Sequence, residues 1–317
     1  MTVQIAVLDD WQDVARGVVD WSVLDAIGQV SFLHDYPVDN ESLARRLGEF
    51  EVICVMRERT RFDEDLLRRL PKLKLLVTGG MRNAALDLKA AAALGIEVSG
   101  SDSYKHAAPE LTWALIMAAT RNLVVEANAL RAGRWQQGLG GDLHGKTLAI
   151  LGLGSIGQRV AQFGQVFGMR VIAWSENLTA ERAAQVGVTC VSKQELFEQA
   201  DVLSVHLVLS ERSRGLVDAQ ALGWMKPTAL LVNTARGPIV DEAALIKALQ
   251  KQRLAGAALD VFEHEPLPAN HPFRTLDNVL ATPHIGYVSQ QNYQLFFSQM
   301  IEDIQAWAAG SPVRLLG

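Results

Sequence analysis

A glycine-spaced turn between an apolar run and a helical pattern constrains this sequence more than any other feature. Residues 147–151 read Thr-Leu-Ala-Ile-Leu, and the turn after them has glycines at Gly152, Gly154 and Gly157. Apolar residues then recur at helical spacing up to residue 168. A strand, a G-x-G-x-x-G turn and a helix in this order are typical of a parallel α/β sheet that binds a dinucleotide. A purely structural glycine turn is the alternative.

Each glycine of this turn has its own predicted role. Gly152 permits a tight turn, Gly154 lets a pyrophosphate approach the backbone, and Gly157 lets the helix pack close to the strand. The helix start, at Ser155 and Ile156, offers free N–H groups and a positive dipole end to the phosphates. These five residues are the predicted phosphate-binding part of a cofactor site.

Strand-like and helix-like segments alternate on both sides of the turn. In the first hundred residues, strands are predicted at 5–8, 30–33, 52–56, 73–77 and 96–98. In a second block, from 146 to about 284, they are predicted at 148–151, 171–174, 188–191, 202–207, 229–233, 257–261 and 279–281. Such alternation predicts parallel sheets covered by helices. The predicted fold class is therefore α/β, with two doubly wound, Rossmann-like domains, for which 317 residues are sufficient.

Two predicted helices matter for the later argument. Helix 41–47 has Asn40 as its predicted N-cap. A mostly apolar helix is predicted over 109–132, and its apolar surface is too wide for one exposed stripe. We expect this helix to link the domains and to form a subunit contact. The stretch 133–145 after it holds five glycines and Trp135.

Composition excludes several classes of partner. The net charge of -5 gives no reason to expect nucleic acid or an anionic membrane. The start of the sequence lacks the basic region of a signal peptide, and no apolar run is long enough to span a bilayer. Cys54 and Cys190 lie in apolar, strand-like stretches, which favours buried free thiols and a reducing, cytoplasmic environment. Neither a metal site nor a G-x-S-x-G hydrolase motif is expected.

Four polar residues follow strands of the second block, at the strand ends where open parallel sheets bind ligands. They are Arg236, Asp260, Glu265 and His284. A histidine suits proton transfer to a carbonyl oxygen near neutral pH, and a forked arginine suits a substrate carboxylate. A carboxylate beside the histidine favours its charged form. The set predicts hydride-transfer chemistry, while a structural ion pair for Arg236, a turn role for His284 and a capping role for Glu265 stay open.

Four motifs occur in a characteristic order. They are the turn at 152–157, Asn-Thr-Ala-Arg-Gly-Pro at 233–238, Asp-Val-Phe-Glu-His-Glu-Pro at 260–266 and Thr-Pro-His-Ile-Gly at 282–286. This order resembles the D-isomer-specific 2-hydroxyacid dehydrogenase family over nearly the whole chain. The resemblance implies that His284 is the general acid/base, Glu265 its partner and Arg236 the cation for the substrate. It implies further cofactor contacts at Thr234, Ala235, Arg236, Asp260 (toward the nicotinamide carboxamide), His284 and Gly286.

The resemblance also implies a domain plan. A discontinuous substrate domain would comprise residues 1–103 and 285–317, and a cofactor domain would comprise 104–284, with the substrate in the cleft between them. Substrate contacts are expected from Arg57, Met81, Arg82 and Asn83, together with Arg236 and His284. For the basic segment around Arg57, a solvated charge run is an equal alternative. A homodimer through the 109–132 helix and the glycine-rich stretch after it is expected.

The sequence departs from the family at the position that contacts the adenosine ribose. NAD-type members place an aspartate after the second strand of the cofactor domain, where this chain has Ser175, followed by Glu176 and Asn177. A glutamate would repel a 2′-phosphate, which favours NAD over NADP with Glu176 or Asn177 at the ribose, although NADP stays possible. His206 matches a cofactor-side histidine of the family, and a structural histidine is nearly as well supported.

The sequence thus predicts an NAD(P)-dependent oxidoreductase that interconverts a small anionic 2-oxo acid and its D-2-hydroxy acid. Glyoxylate or hydroxypyruvate and 3-phosphoglycerate are the candidate substrates. The alternative is an NADH-sensing binding module of corepressor type with little catalysis, and a set of proton-transfer residues argues against it. A formate dehydrogenase is disfavoured because those enzymes pair this histidine with glutamine, whereas the chain has Glu265.

Overall fold

The computed structural model describes residues 2–34 and 39–317. The chain divides into two compact units, one formed by Met1–Tyr104 with Val288–Gly317 and the other by Lys105–Tyr287. Each unit contains one sheet whose neighbouring strands run parallel. This arrangement confirms the predicted α/β class with two parallel sheets.

The first unit is a five-stranded sheet with the strand order β2-β1-β3-β4-β5. Its strands are β1 (Val3–Val7), β2 (Gly28–Phe32), β3 (Val52–Val55), β4 (Leu75–Thr78) and β5 (Glu97–Gly100). Its helices are α1 (Ala15–Val18), α2 (Asn40–Leu47), α3 (Glu64–Arg68), α4 (Leu88–Ala93) and the C-terminal α12 (Gln290–Ala308), with a 3-10 turn at Trp21–Leu24. Strands β3 and β4 are buried along their whole length, as expected for a parallel sheet covered on both faces.

Aspartates begin three helices of this unit. Asp39, Asp63 and Asp87 each accept a hydrogen bond from a backbone N–H of the first turn of α2, α3 and α4. The prediction of Asn40 as the N-cap of α2 is therefore wrong. Asn40 is the first helical residue, and its amide nitrogen donates to Asp63 Oδ1 at 3.1 Å. Asparagine and aspartate are both good N-cap residues, so the sequence alone does not show which of two neighbouring ones caps the helix. The contact between Asn40 and Asp63 appears only in the folded chain.

The second unit is a seven-stranded sheet with the strand order β12-β11-β10-β9-β6-β7-β8. Its strands are β6 (Thr147–Leu151), β7 (Arg170–Trp174), β8 (Thr189–Cys190), β9 (Val202–Val205), β10 (Leu230–Asn233), β11 (Gly256–Leu259) and β12 (Val279–Ala281). The order reverses between β6 and β9. In doubly wound sheets, this reversal opens a crevice at the carboxyl ends of the strands, where ligands bind.

Helices cover both faces of the seven-stranded sheet. They are α5 (Ala107–Thr120), α6 (Leu123–Arg131), α7 (Ser155–Val166), α8 (Ala180–Ala184), α9 (Lys193–Gln199), α10 (Ala219–Trp224) and α11 (Glu242–Gln250), with 3-10 turns at Gly237–Ile239 and Pro272–Arg274. Successive side chains of β6 enter opposite cores. Leu148 and Ile150 pack in the core that includes residues of α5 and α7, whereas Ala149 and Leu151 pack in the core that includes residues of α9, α10 and α11.

The predicted single helix over 109–132 is wrong. The structure has two helices here, and Asn122 between them adopts a left-handed backbone conformation (φ +53°). The Asn122 amide nitrogen also donates to the Leu139 carbonyl oxygen at 3.3 Å. Asparagine is among the few non-glycine residues that adopt this conformation readily, so the chain bends without a proline or glycine. Neither helix, nor any other among the described residues, is long and apolar enough to cross a membrane.

Candidate active site

Five strands of the second unit end in register at one edge of the sheet. Leu151 pairs with Val205, Asn233 pairs with both Val205 and Leu259, and Leu259 pairs with Ala281. The segments that follow these strands therefore emerge side by side. They carry the glycine turn, His206, Arg236, Asp260 and His284. The sheet brings together the glycine turn and His284, which lie more than a hundred positions apart in the sequence, with the other three polar residues between them in sequence.

The geometry of the turn accounts for each of its glycines. Gly152 has φ +103°, and a Cβ atom there would lie 2.9 Å from the backbone of His206. A Cβ atom at Gly157 would collide with the Gly152 carbonyl oxygen and lie 3.1 Å from Ile150 Cγ2. At Gly154, the N-cap of α7, a Cβ atom would meet no atom within 4 Å. Because the chain itself fills the space at Gly152 and Gly157 but not at Gly154, the fold leaves open backbone at the helix start, where a phosphate group fits.

The predicted ribose-side residues lie on one side of this turn, and the predicted cofactor-side His206 lies on the other. The Gly152 N–H donates to the Trp174 carbonyl oxygen at 2.9 Å, which places the following residues, Ser175, Glu176 and Asn177, beside the glycine turn. On the other side, the His206 N–H donates to the Leu151 carbonyl oxygen at 2.8 Å. The arrangement fits a dinucleotide whose phosphates lie at the start of α7.

Arg236 lies in a loop that Asn233 shapes. Asn233 is buried, its amide nitrogen donates to the Arg236 carbonyl oxygen (3.0 Å), and its Oδ1 accepts from the Ala235 N–H (3.0 Å). The Arg236 guanidinium donates to the Ala235 carbonyl oxygen at 2.7 Å. A Cβ atom at the next residue, Gly237, would collide with the Phe262 backbone. The loop that carries Arg236 is thus packed directly on the loop that carries Glu265.

Asp260 holds the segment that carries His284. The Asp260 Oδ1 accepts hydrogen bonds from the Thr282 hydroxyl (2.6 Å) and the Ile285 N–H (2.8 Å), and its Oδ2 accepts from the Gly286 N–H (2.8 Å). Burial raises the pKa of Asp260, and these donors together with the nearby His284 oppose the rise. One carboxylate therefore fixes both ends of the turn around His284. Its predicted contact with the nicotinamide carboxamide stays a prediction.

His284 and Glu265 form a close pair. The distance between His284 Nδ1 and Glu265 Oε2 is 2.6 Å, and Glu265 Oε1 accepts from the Phe262 N–H at 2.9 Å. His284 has a left-handed backbone (φ +53°), and its ring lies 5.4 Å from that of Tyr287 in an edge-on arrangement. Since Nδ1 faces the carboxylate, the opposite ring nitrogen, Nε2, is the one that can exchange a proton with a ligand.

In the first unit, Asn83 shapes the segment around Arg57. Arg57 has a left-handed backbone (φ +56°), and its carbonyl oxygen accepts from the Asn83 amide nitrogen at 2.6 Å. The same nitrogen donates to the Thr78 hydroxyl at 2.9 Å, and the Asn83 Oδ1 accepts from the Ala85 N–H at 2.8 Å. Both polar atoms of the Asn83 side chain are therefore engaged within the chain. The backbone conformation of Arg57 depends on that side chain.

The other predicted substrate residues of this unit follow β4. Met81 is 40% exposed and Arg82 is exposed. A Cβ atom at Gly80 would collide with the Arg57 guanidinium, so that guanidinium lies against the backbone of the same loop. The structure thus groups Arg57 with residues 80–83, and their predicted substrate contacts stay a prediction.

Comparisons with known proteins agree on one family. The family model described as "D-isomer specific 2-hydroxyacid dehydrogenase, NAD binding domain" matches residues 113–286. A glyoxylate reductase of Aeropyrum pernix is 40% identical over 284 residues, which cover 86% of this chain and 84% of the relative. The chain belongs to the D-isomer-specific 2-hydroxyacid dehydrogenase family.

Other members of the family include longer proteins. A D-3-phosphoglycerate dehydrogenase of Methanocaldococcus jannaschii is 35% identical over 273 residues, which cover 85% of this chain but 51% of the relative. The chain therefore spans about half the length of that relative. The crystal structure of a phosphoglycerate oxidoreductase from Vibrio cholerae matches with a TM-score of 0.94 and 41% identity, and covers 98% of this chain and 100% of that one. The family assignment confirms the predicted class, an oxidoreductase with an NAD(P) cofactor.

Two residues that contact the predicted site segments were missed in the sequence. The first is Thr112, a fully buried residue of α5. Its hydroxyl lies 2.8 Å from the Ala108 carbonyl oxygen and 2.7 Å from the hydroxyl of Thr234, a predicted cofactor residue. A threonine within the otherwise apolar stretch 111–118 was the available signal. The second is Glu242, whose carboxylate contacts the loop that carries Glu265. It resembles an ordinary helix-start glutamate, so the sequence carried no signal for it.

A cluster of possible metal ligands lies in the first unit. Asp10, Asp13 and His34 place ligand atoms within 4.8 Å of one another. Both carboxylate oxygens of Asp10 already accept backbone N–H groups at the start of α1, from Val14 (3.0 Å) and Ala15 (2.9 Å). The carboxylate thus has a structural use in shaping the first turn of that helix.

The half-buried ring of His206 predicts a pH dependence of stability. Burial lowers the pKa of His206 from 6.5 to about 3, and its Nε2 lies 2.8 Å from the Ser204 hydroxyl. Below pH 6.5 the unfolded chain binds a proton at His206, whereas the folded protein does not bind it until the pH approaches 3. The contribution of this group to stability is therefore present above pH 6.5 and falls as the pH falls toward 3. Between pH 7 and pH 5 the loss from this group should be about 2 kcal/mol.

The measurement is urea unfolding at pH 7 and pH 5 for the wild type and for His206→Gln. The variant should lose about 2 kcal/mol less than the wild type over that interval. His264→Gln, at an exposed histidine, is the control and should leave the pH dependence unchanged. Equal losses in the wild type and His206→Gln would show that His206 is protonated in the folded protein as readily as in the unfolded chain.

Proposed function

We propose that this protein interconverts a small anionic 2-oxo acid and the corresponding D-2-hydroxy acid with NAD(H) as the hydride carrier. The observation that carries the proposal is the 2.6 Å contact between His284 Nδ1 and Glu265 Oε2, at the carboxyl edge of the same sheet as the glycine turn. A dinucleotide-binding module needs the turn alone, whereas a carbonyl reductase also needs a proton donor. Bound at the turn, the cofactor supplies or accepts a hydride at C4 of its nicotinamide ring.

In the reductive direction, His284 gives the proton that the carbonyl oxygen gains. Glu265 holds the ring through Nδ1 and stabilises the imidazolium, so Nε2 is the donor. Hydride addition to the carbonyl carbon and proton addition to its oxygen together give the 2-hydroxy acid. In the oxidative direction the neutral ring takes the hydroxyl proton. Asp260 keeps Nε2 in position, because it holds the backbone on the C-terminal side of His284.

Arg236 is the group proposed for the substrate carboxylate. A guanidinium presents donors in a fork that matches a carboxylate and can also polarise the adjacent carbonyl. Its loop is fixed by Asn233 and packed on the backbone of Phe262, so the cation has a defined position relative to Glu265. This geometry favours a substrate that carries its anionic group next to the reacting carbonyl.

The test is oxidation of NADH and NADPH by the purified protein, followed by absorbance. The relatives named glyoxylate reductase and D-3-phosphoglycerate dehydrogenase suggest glyoxylate and 3-phosphohydroxypyruvate as first substrates. The family resemblance adds hydroxypyruvate, and pyruvate serves as a comparison. We expect a kcat/KM of at least about 10⁴ M⁻¹ s⁻¹ with one of them. NADH should be preferred, since Glu176 follows β7 where a 2′-phosphate would meet a negative charge. In the reverse direction, only the D isomer should be oxidised where the product is chiral, as it is for every substrate named here except glyoxylate, whose product is achiral.

The alternative function is an NADH-sensing module of corepressor type. Tight NADH binding without turnover of any 2-oxo acid would support that alternative and contradict the proposal. The close His284–Glu265 pair favours catalysis, because a sensor has no use for a proton donor held by a carboxylate.

We also propose a homodimer formed through α6 and the segment after it. Large apolar side chains are exposed along this part of the chain: Leu123, Val124, Val125, Leu130, Trp135 and Leu139. A concentration of exposed large apolar side chains in one part of a chain favours an interaction surface there. Sedimentation equilibrium should give twice the chain mass of 34.6 kDa, and a monomer at micromolar concentration would contradict the proposal.

A cytoplasmic location is proposed on the state of the cysteines. Cys54 and Cys190 are both free thiols, and Cys54 is buried, as is usual in reducing compartments. Fractionation of the source cells should recover the activity with the cytoplasmic contents, and recovery with an oxidising compartment would contradict this proposal.

A further inference from the structure

The position of Glu265 depends on one short stretch of backbone. Glu265 Oε1 accepts from the Phe262 N–H (2.9 Å), while Oε2 faces His284 Nδ1 (2.6 Å). The carboxylate therefore lies between a backbone donor of its own loop and the histidine. Any movement of the peptide units at Phe262 and Glu263 moves the carboxylate relative to the ring.

The side chain of Glu242 reaches both ends of this loop from the first residue of α11. Its Oε2 accepts from the Glu263 N–H at 3.2 Å, and its Oε1 lies 3.0 Å from His271 Nε2. The Glu242 and His271 side chains are only 16% and 14% exposed. A carboxylate so largely withdrawn from water keeps its hydrogen bonds in place. Glu242 thus joins the peptide unit next to Phe262 to a residue six positions beyond Glu265.

The protonation of His271 can be assigned from its two partners. His271 Nδ1 accepts from the Phe273 N–H at 3.2 Å, so the ring hydrogen is on Nε2 and is donated to Glu242. The ring also lies 4.9 Å from that of Phe273, which is buried in the core of the second unit. The far end of the loop is therefore anchored to the core through His271, and Glu242 is tied to that anchor.

We propose that Glu242 is a positioning residue for the acid/base pair. Through its hydrogen bonds to the Glu263 N–H and to His271 Nε2, it keeps the Glu265 carboxylate against Nδ1 of His284. The proposal rests on the function proposed above for His284. Glu242 acts only through the loop, since its two oxygens are used by Glu263 and His271. Loss of these two hydrogen bonds leaves the fold of α11 intact and lets the Glu265 carboxylate move away from His284.

Glu242→Gln is the most informative change. A glutamine offers one acceptor where the loop needs two, so its amide hydrogens oppose either the Glu263 N–H or the His271 Nε2–H. A switch of the His271 tautomer would not relieve this, because Nδ1–H would then oppose the Phe273 N–H. The substitution keeps the size of the side chain and removes only the double acceptor.

The readout is the titration of the His284 ring in the cofactor-free protein, followed by the NMR signal of its Cε1–H and assigned by its absence from His284→Gln. The midpoint should move to lower pH by about one unit in Glu242→Gln, since an opposite charge is drawn away from the ring. The alkaline limb of the kcat/KM profile for 2-oxo acid reduction should move in the same direction. Glu265→Gln should give at least as large a shift.

The controls separate positioning from general stability. Glu195→Gln alters a helix-start glutamate of the same unit whose side chain accepts from the Ser192 N–H, and it should leave the His284 midpoint unchanged. His271→Phe keeps a ring beside Phe273 but removes the donor, and it should shift the midpoint in the same direction as Glu242→Gln. If Glu242→Gln does not fold, His271→Phe is the variant that tests the proposal.

A midpoint in folded Glu242→Gln equal to that of the wild type, with a shift in Glu265→Gln, overturns the proposal. An absence of turnover with every 2-oxo acid would instead contradict the proposed function. The ring titration still decides the role of Glu242 in that case, because it needs neither cofactor nor substrate.

Discussion

His284→Gln should lower kcat for 2-oxo acid reduction by about 10³-fold. Removal of a positioned general acid typically costs about 10²–10⁴-fold, and glutamine cannot supply the proton. The NADH dissociation constant, measured by fluorescence, should stay within about twofold of the wild-type value, because the phosphate-binding turn at 152–157 belongs to a different loop. The alkaline limb of the pH profile should disappear with the ring.

His144→Gln is the matched control for this prediction. His144 is an exposed histidine of the same unit and lies before β6, at the opposite end of the strand from the glycine turn. The control should turn over at the wild-type rate. A wild-type kcat in His284→Gln would contradict the role of His284 as general acid/base. It would instead support the interpretation of His284 as a turn residue.

Arg236→Gln should lower kcat/KM for the 2-oxo acid by about 10³-fold. Two hydrogen bonds from a guanidinium to a carboxylate contribute about 1.5–3 kcal/mol each, and about 1.4 kcal/mol corresponds to a factor of ten. Arg236→Lys should recover only part of the loss, because a lysine provides a point charge without the fork. Steady-state kinetics at several substrate concentrations would separate KM from kcat.

Arg253→Gln removes an exposed arginine of the same unit and should not change either constant. If Arg236 were instead a structural ion pair, Arg236→Gln would lower the melting temperature and leave the kcat/KM of the folded enzyme at the wild-type value. That pattern would move the search for the carboxylate-binding group to another residue.

The strand-end residues could be predicted from sequence because parallel sheets obey a simple rule. Ligands bind at the carboxyl ends of the strands, and the apolar runs before Arg236, Asp260 and His284 mark where those strands end. The glycine turn has an equally local signature, since each of its three glycines meets a separate steric demand. At the strand ends and at the glycine turn, a few neighbouring residues are therefore sufficient to predict the local structure.

Other features depend on contacts that no local pattern contains. Glu242 reaches a loop about twenty residues further along the chain, and Asn83 fixes the backbone of Arg57 from the neighbouring strand end. The bend at Asn122 needs no glycine or proline, so the apolar pattern over 109–132 predicts one helix where the structure has two. In each case the side chain has ordinary neighbours in sequence, and only the folded chain shows its partner.

The in-register ends of β6, β9, β10, β11 and β12 have a consequence for how this protein can change over evolution. An insertion of one residue within any of these strands would advance the group at its end by about 3.3 Å and turn every later side chain to the opposite face. An insertion in a loop beyond the strand end carries no such penalty. Variation that reshapes substrate choice should therefore accumulate in the loops, while strand lengths in the cofactor unit stay fixed.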